Sequence, residues 1–316
     1  MIPKLGTTEF DLLEAKYETC AISEMPILAN KYGYKTVDSF QRQMRKIGVK
    51  RQVVGGWEPG GVNVPLKLKT SKEPKIIAVL GDTHNPYQDA ESLALAEELL
   101  LEVNPDYIIY NGDMCDFYQI SVFSKNPSRL DNLQSDIDNT RAMFRRHQEK
   151  FPNAKKLLIE GNHELRWQSF LWNKASVLNS LDCLKLEELY GLKEYGIQHI
   201  SYEQGIMVND VFLILHGDMA SKHSSYTAKR MFEKHGGCGL CAHTHRGGAY
   251  YTRNRFGTWG WFENFCLCHL NPDWVKNPNW QQGFTLIHFI GDRFWVEAIP
   301  IINHALIYGG RIYRSR

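Results

Sequence analysis

The sequence predicts an α/β fold for most of the chain, preceded by a small all-α domain. Short apolar runs such as residues 75–80 (KIIAVL) and 155–159 (KKLLI) alternate with longer amphipathic stretches at 89–103 and 131–151. This alternation is typical of buried parallel strands connected by helices. The 316 residues, of which 43% are apolar, are enough to form a large core of this kind.

The other predicted elements continue the alternation. Further strands are predicted at 106–110, 211–215, 238–242, 284–290 and 293–302. Gly291 and Asp292 lie between the last two runs and indicate a β-hairpin, and Asn104 and Pro105 end the first helix of the α/β part. The predicted domains are a helical domain at 1–51, a linker at 52–74 that is rich in Gly, Pro and Lys, and an α/β domain at 75–316.

Composition excludes several classes of protein. The formal net charge is +2, so the field of the whole chain selects neither nucleic acid nor membrane, and local clusters must be judged separately. No apolar run approaches the roughly 18 residues that span a membrane, and residues 1–10 lack the features of a signal peptide. The seven cysteines form no disulfide-scaffold pattern. We therefore expect a soluble, cytoplasmic protein with no membrane partner.

Five short polar motifs each follow an apolar run. In chain order they are Asp82-Thr83-His84, Gly112-Asp113-Met114-Cys115-Asp116, Gly161-Asn162-His163-Glu164, His216-Gly217-Asp218 and His243-Thr244-His245. Ligands bind at the carboxyl ends of the strands in open α/β sheets, so these distant motifs are expected to converge. Asp, Asn and His supply the oxygen and nitrogen ligands that a two-metal hydrolytic site needs.

The five motifs resemble those of the calcineurin-like metallophosphoesterase superfamily, in particular its compact bacterial and phage members. The pattern of that superfamily is D-x-H, G-D-x-x-D, G-N-H-[DE], a His beside Gly, and G-H-x-H. The resemblance covers about residues 75–250, and Ala242 stands where the family usually has Gly. It implies a four-layer α/β/β/α sandwich of two mixed sheets and the two-metal-dependent hydrolysis of phosphate esters.

The resemblance also implies the role of each residue. The first metal would be bound by Asp82, His84 and His245, the second by Asn162, His216 and His243, and both by Asp113. Imidazole nitrogen mixed with carboxylate oxygen favours two divalent ions of Mn, Fe or Zn over Ca or Mg, and we expect Mn. His163 would be the general acid, and Asp116 would hydrogen-bond His163 to orient it.

Other residues near the motifs have less specific patterns. Arg166 could clamp a substrate phosphate or be an ordinary surface arginine, and His223 could face the substrate. Asp218 could support His216 or have a structural role. We interpret two further groups of residues as packing residues. The cysteines, which we do not expect to form a zinc site, are Cys238, Cys241, Cys266 and Cys268. The tryptophans, which we expect to pack or to form a flap beside the site rather than to stack on bases, are Trp259, Trp261, Trp274 and Trp280.

The N-terminal segment predicts two helices, at 23–31 and 36–47, separated by a turn at Gly33. Val37, Phe40, Met44 and Ile47 recur at helical spacing and form an apolar stripe. The opposite face, which would contact DNA, carries Ser39, Gln41, Arg42, Gln43, Arg45 and Lys46. The arrangement resembles the helix-turn-helix modules of DNA-binding proteins, with 36–47 as the recognition helix. Residues 31–51 contain seven Lys or Arg and one acid, which suits phosphate contact. A docking or oligomerising bundle and a structural cap are alternatives.

These features together predict an enzyme that hydrolyses the phosphodiesters of DNA, its expected partner. The first alternative is a phosphomonoesterase acting on a phosphoprotein or a nucleotide, because Gly161-Asn162-His163-Glu164 also resembles the protein-phosphatase form of the motif. The second alternative is a DNA-binding regulator whose metal site is vestigial.

Overall fold

The computed structural model describes residues 2–3, 7–19, 25–47, 63–69, 73–126, 128–129, 132–272 and 275–315. The chain divides into two compact units, Met1–Gly61 and Val62–Arg316. Among the described residues, no helix combines the length and the apolar composition that crossing a membrane requires.

The first unit contains the helices α1 (Thr8–Thr19), α2 (Met25–Lys31) and α3 (Val37–Lys46). Gly33 adopts a φ of +81° and turns the chain after α2. The Thr36 hydroxyl then accepts a hydrogen bond from the Ser39 N–H at 3.2 Å, which caps α3. Phe40 and Met44 are fully buried, as the apolar stripe predicts, and they pack on α1 and α2. Residues 23 and 24, where the first helix was predicted to begin, lie outside the described residues.

The second unit consists of two six-stranded sheets, a terminal hairpin and flanking helices. Its strands are β1 (Val64–Leu66), β2 (Lys75–Leu80), β3 (Tyr107–Asn111), β4 (Lys155–Ile159), β5 (Ile197–Ile200), β6 (Ile206–Val208), β7 (Phe212–Leu215), β8 (Cys238–Cys241), β9 (Gly247–Asn254), β10 (Gly257–Asn264), β11 (Gln282–Ile290), β12 (Arg293–Ile301), β13 (Ala305–Tyr308) and β14 (Arg311–Arg314). Its helices are α4 (Ala90–Val103), α5 (Leu133–Lys150), α6 (Asn162–Lys174), α7 (Leu186–Tyr190) and α8 (Tyr226–His235), with 3-10 turns at Tyr118–Ile120, Ser176–Ser180 and Asp182–Leu184.

The two sheets face each other. One has the strand order β1-β6-β7-β8-β10-β9 and the other the order β12-β11-β2-β3-β4-β5. Strands β2 to β5 pair in parallel, as do β7 and β8, whereas β11 runs antiparallel to β2. Ile77 and Val79 of β2 share one buried cluster with Phe212 and Ile214 of β7, which is the core between the sheets.

Helices cover the outer face of each sheet. Leu99 of α4 and Phe144 of α5 pack on Ala78 and Leu80, the residues of β2 that point away from the other sheet. Met231 of α8 packs on the outer face of the first sheet. Because both faces of β2 are covered, its sequence is continuously apolar rather than alternating. The layers are therefore helices, sheet, sheet and helix, which is the predicted α/β/β/α sandwich.

The predicted linker contains an ordered strand. Val64–Leu66 forms β1, which pairs in parallel with β6 at the edge of the first sheet. Val64, Leu66 and Leu68 pack against the core between the sheets, and Pro65 is exposed, as proline can be on an edge strand. The prediction of a linker is therefore wrong at these positions. Apolar side chains at every second residue pack on the core in spite of the Gly and Pro content. Residues 52–62 and 70–72 lie outside the described residues.

Candidate metal centre

The predicted ligands lie where strands of both sheets end. Asp82 and His84 follow β2, Asp113 follows β3, and Asn162 begins α6 after β4. His216 follows β7 in the other sheet, and His243 and His245 follow β8. The structure brings these seven residues together at one edge of the sandwich.

The backbone turns sharply at five of these residues. Asp82, His84, Asp113, His243 and His245 all have positive φ values, between 49° and 68°. Residues other than glycine adopt this left-handed conformation infrequently, and it costs about 1–3 kcal/mol at each position. Such turns directly after a strand aim consecutive side chains into the same volume.

Two glycines allow the loops to approach each other. A Cβ atom at Gly161 would overlap both the backbone and the carboxylate of Asp113. A Cβ atom at Gly112, whose φ is +80°, would overlap the ring of His216 and the backbone of Gly161. The glycines of the second and third motifs are therefore required by the close contact between these loops.

The first ligand cluster consists of Asp82, His84, Asp113 and His245. The Nε2 atom of His245 lies 3.1 Å from Oδ1 of Asp82 and 2.9 Å from Nε2 of His84. Oδ1 of Asp82 is buried and has no hydrogen-bond partner among the described residues. A buried carboxylate oxygen with no donor facing two imidazole nitrogens is suited to a bound cation.

The second ligand cluster consists of Asp113, His216 and His243. Oδ2 of Asp113 lies 3.3 Å from Nε2 of His216. Nδ1 of His216 donates to the backbone oxygen of Asn111 at 2.7 Å, which leaves Nε2 to face the cluster. Oδ1 of Asn162 lies 2.6 Å from Nδ1 of His243 and adds an oxygen to this cluster.

Asp116 connects the first cluster to His163. Its Oδ1 atom lies 3.1 Å from Nδ1 of His84 and 3.1 Å from Nδ1 of His163. Although these three residues form a third group of potential ligands, both imidazoles can donate to the carboxylate, so we interpret the group as a hydrogen-bond network. Asp116 thereby orients a ligand and the predicted general acid at once.

Burial and the Asp113 carboxylate together determine the charge of the clusters. It raises the pKa of Asp82 to about 6, and it lowers the pKa of His245 to about 3 and that of His243 to about 4. Burial also opposes charge on His216, but the Asp113 carboxylate outweighs it and raises the pKa of His216 to about 10. Neutral imidazoles offer lone pairs to a metal. The donor set of imidazoles, carboxylates and an amide oxygen therefore fits a divalent transition metal.

Arg166 lies beside the predicted general acid. It donates from Nη1 to the backbone oxygen of Asp116 at 2.8 Å and from Nη2 to Nε2 of His163 at 2.9 Å. Both Arg166 and His163 line a cavity of about 690 Å³ next to the ligand clusters. His223 does not line this cavity; its ring is exposed and packs on Tyr226.

The hydrogen bond that orients His216 comes from Asn111, so the suggestion that Asp218 supports His216 is wrong. Asp218 is exposed and pairs with Lys234 at 2.8 Å. The reason is that β7 and β3 lie opposite each other at this edge, which places a carbonyl of β3 beside the imidazole. Gly217 is the one residue between His216 and Asp218, and the Asp218 side chain points outward to Lys234 of α8.

Glu164 has a supporting role that its motif did not predict. Its carboxylate is buried and accepts four backbone N–H groups, those of Asp113, Met114, Cys115 and Gly161 at 2.8, 2.8, 3.3 and 2.9 Å. It also accepts the hydroxyl of Tyr190 at 3.0 Å. One side chain thus fixes the two loops that carry Asp113 and the start of α6. Its position as the acid of the third motif was the available signal.

The cysteines and tryptophans lie in different surroundings. Cys238 and Cys241 are buried in β8, and Cys266 and Cys268 are buried between β10 and β11. Trp261 is fully buried, whereas Trp280 lines the cavity with its ring centroid 4.2 Å from that of His245. Trp274 lies outside the described residues.

Half of the predicted DNA-contacting residues can be placed by their side chains. Ser39 and Lys46 are exposed on α3, and Gln43 is partly buried. The side chains of Gln41, Arg42 and Arg45 lie outside the described part of the structure.

A sandwich of this kind, with carboxylates and imidazoles gathered at its strand ends, defines the metallophosphoesterase class. The family model described as calcineurin-like phosphoesterase matches residues 76–247. The chain belongs to the calcineurin-like phosphoesterase family.

Two phage proteins and several solved structures are similar to this chain. The gene 54 protein of Mycobacterium phage D29 is 23% identical over 258 residues, covering 76% of this chain and 98% of its own. The gene 54 protein of Mycobacterium phage L5 is 22% identical over 251 residues, with the same two coverages of 76% and 98%. Vps29 of Chaetomium thermophilum is 11% identical with a TM-score of 0.39, covering 72% of this chain and 86% of that one. Vacuolar protein sorting 29 of Cryptosporidium parvum is 12% identical with a TM-score of 0.39, covering 77% and 96%.

Proposed function

We propose that this protein is a two-metal phosphoesterase that hydrolyses phosphodiesters of DNA. The position of Asp113 supports this proposal most strongly. Its Oδ2 atom lies 3.7 Å from Nε2 of His84 and 3.3 Å from Nε2 of His216, so one carboxylate belongs to both clusters. Its other oxygen accepts the backbone N–H of His163 at 2.8 Å, which fixes this orientation. A shared carboxylate offsets the repulsion between two neighbouring cations.

The residues around Asp113 would divide between the two cations. Asp82, His84 and His245 would hold the first, and Asn162, His216 and His243 would hold the second. When bound, the two cations acidify a water molecule and neutralise charge on phosphate oxygens. The donor set suits Mn, Fe or Zn, and we propose Mn.

His163 would protonate the leaving oxygen of the substrate. The backbone oxygen of Asp116 accepts its Nδ1 proton at 2.9 Å, with the Asp116 carboxylate at 3.1 Å, so Nε2 faces the cavity. Burial lowers the pKa of His163, but the Asp113 and Asp116 carboxylates outweigh burial and raise it. Arg166 donates to Nε2 in the structure, so we propose that a substrate phosphate draws the guanidinium away. Nε2 is then free to carry the proton that it donates.

The first unit supports DNA as the substrate. Its helices α2 and α3 flank the turn at Gly33, and Ser39 and Lys46 are exposed on α3. A helix presented in this way can enter the major groove. Binding of DNA by this unit would raise the local concentration of DNA at the metal centre. The vestigial-site alternative is disfavoured because all seven ligand positions hold side chains able to bind a metal.

The test is Mn²⁺-dependent hydrolysis of a labelled DNA, single- and double-stranded, beside a small phosphomonoester. We expect cleavage of DNA that falls by about 10²–10⁴-fold in His163→Ala, because general acid catalysis contributes about that much. His223→Ala is the matched control, since His223 is exposed and does not line the cavity. Hydrolysis of the monoester alone would make the protein a phosphatase, and purification with a metal site that cannot be refilled would favour the regulator.

A further inference from the structure

We propose that Trp280 stacks on an unpaired base next to the scissile phosphate, and that the enzyme therefore prefers single-stranded DNA. This inference rests on the proposed DNA-hydrolysing function. Trp280 lies outside the segment of 76–247 that the family model matches.

The cavity beside the metal centre has the dimensions of a nucleotide site. Its volume is about 690 Å³, within the roughly 300–1,000 Å³ of ordinary small-molecule sites. His84, His163 and His245 form its inner wall. A base that is paired in a duplex would have to leave the helix to enter such a space, and an unpaired base would not.

The backbone that follows Trp280 and the ring of His245 hold the indole in place. The Gln281 N–H donates to the backbone oxygen of His245 at 2.8 Å, and the Gln281 oxygen accepts the N–H of Cys266 at 3.1 Å. The Trp280 ring meets that of His245 edge to face, at 79°. The indole is thus held beside a metal ligand before any substrate binds, which reduces the entropic cost of stacking.

A loop that is held together by hydrogen bonds from Lys125 forms the outer wall of the cavity and carries a second aromatic residue. Lys125 donates from Nζ to the backbone oxygen of Ser121 at 2.6 Å and also bonds to the backbone oxygen of Tyr118. Phe123 is 68% exposed between these contacts and lines the cavity mouth. A fixed loop that exposes a phenyl ring has an apolar surface for which a base is a suitable partner.

The cavity also contains a positively charged side chain. Arg166 is 21% exposed there and provides a cation for a phosphate next to the base. Aromatic rings beside a cationic group are the combination by which proteins bind single strands. A phosphorylated aliphatic side chain would leave the indole of Trp280 without a partner.

The experiment measures binding by calorimetry in the full chain carrying His163→Ala, with Mn²⁺ present, so that the ligand is not consumed. The two ligands are a thymidine tetranucleotide and an abasic tetranucleotide of equal charge. We expect the base-containing ligand to bind about 5- to 150-fold more tightly, the range measured for base–aromatic stacking.

Three variants test whether Trp280 causes this difference in affinity between the two ligands. Trp280→Leu is expected to abolish it and Trp280→Phe to retain much of it. Trp295→Leu is the control, since Trp295 is 55% exposed on β12 and does not line the cavity. If Trp280 served only to hold His245, Trp280→Leu would weaken Mn²⁺ binding and affect both ligands equally, which would overturn the proposal.

Hydrolysis by the chain without these substitutions separates the two proposals. We expect single-stranded DNA to be cleaved at least about tenfold faster than a blunt duplex, because the base need not be extruded; equal rates would contradict the strand preference. Hydrolysis with equal binding of the two tetranucleotides would contradict stacking but not the activity. Base-dependent binding with no hydrolysis of any DNA would contradict the proposed activity but not the stacking.

Discussion

The Nε2 atom of His84 lies 2.9 Å from the Nε2 atom of His245, although the two residues are 161 positions apart in the chain. Nδ1 of His84 faces Asp116, so its proton lies on that side and its Nε2 lone pair points towards His245. Oδ1 of Asp82 lies 3.1 Å from the same His245 atom. Electron-rich atoms buried so closely repel one another unless a proton or a cation lies between them. The fold thus stabilises an arrangement that a bound cation would favour.

Asp113→Asn is expected to reduce the number of bound Mn²⁺ ions from two to at most one. The amide carries no charge, so the repulsion between the two cations is no longer offset, and we expect affinity for the second ion to fall by roughly tenfold or more. Equilibrium dialysis followed by metal analysis measures this. Asp218→Asn should still bind two ions, since Asp218 is exposed and pairs with Lys234. Two ions bound with unchanged affinity in Asp113→Asn would refute the shared carboxylate.

Glu164→Gln should lower the free energy of unfolding by about 2–5 kcal/mol. Its carboxylate accepts four backbone N–H groups and the Tyr190 hydroxyl, and the NH₂ group of the glutamine amide would face one of these donors. Urea denaturation at pH 7 measures the loss. Tyr190→Phe should cost only about 1 kcal/mol because it removes one hydrogen bond. Glu188→Gln, on the exposed face of α7, should have no effect. A fully stable Glu164→Gln protein would show that the loops are held by other contacts.

His199 should make stability depend on pH in the alkaline range. Burial by itself lowers the pKa of His199, but hydrogen bonds to Glu160 and Glu187 outweigh burial and raise the pKa to about 9. The stabilisation is complete below about pH 6.5, where histidine is charged in the unfolded chain as well, and it is lost as the pH rises from 6.5 to 9. It amounts to at most about 3 kcal/mol.

Thermal unfolding at pH 6 and at pH 9.5 tests the contribution of His199 to stability. His199→Gln should remove part of the difference in melting temperature between the two pH values, because the neutral amide does not titrate, while His216, whose pKa is raised to about 10, keeps its own contribution. His223→Gln, an exposed histidine, should leave the difference unchanged. An equal pH dependence in His199→Gln and the unsubstituted protein would assign the effect to other groups.

Lys46→Glu should weaken binding of duplex DNA if α3 contacts phosphates. Lys46 is exposed at the end of α3. Loss of one phosphate contact should lower affinity uniformly across DNA sequences and reduce the slope of log affinity against log salt by about one. Electrophoretic mobility shifts at several salt concentrations measure both quantities. Lys193→Glu, an exposed lysine of the second unit, is the matched charge reversal. Equal effects of the two variants would favour a docking or structural role for the first unit.

Local sequence patterns determined the central strands and the positions of the motifs. Residues 75–80 and 155–159 form β2 and β4 with the predicted bounds, since each is an apolar run delimited by polar residues. The hairpin of β9 and β10 was missed because Arg255 and Phe256 at its turn do not form a recognisable turn sequence. Strand β1 was missed because Gly and Pro residues precede it and Pro65 is one of its three residues.

Only the tertiary structure decided which residues support the candidate ligands. Glu164 joins two loops, Asn111 rather than Asp218 contacts His216, and Trp280 lies against His245 from a segment that follows the last motif. A strand ending in a polar motif is encoded within a few residues, so it can be read locally. The partner of a side chain depends on which strands are neighbours and how the two sheets face each other. That information is spread over the whole chain and becomes definite only when the core between the sheets packs.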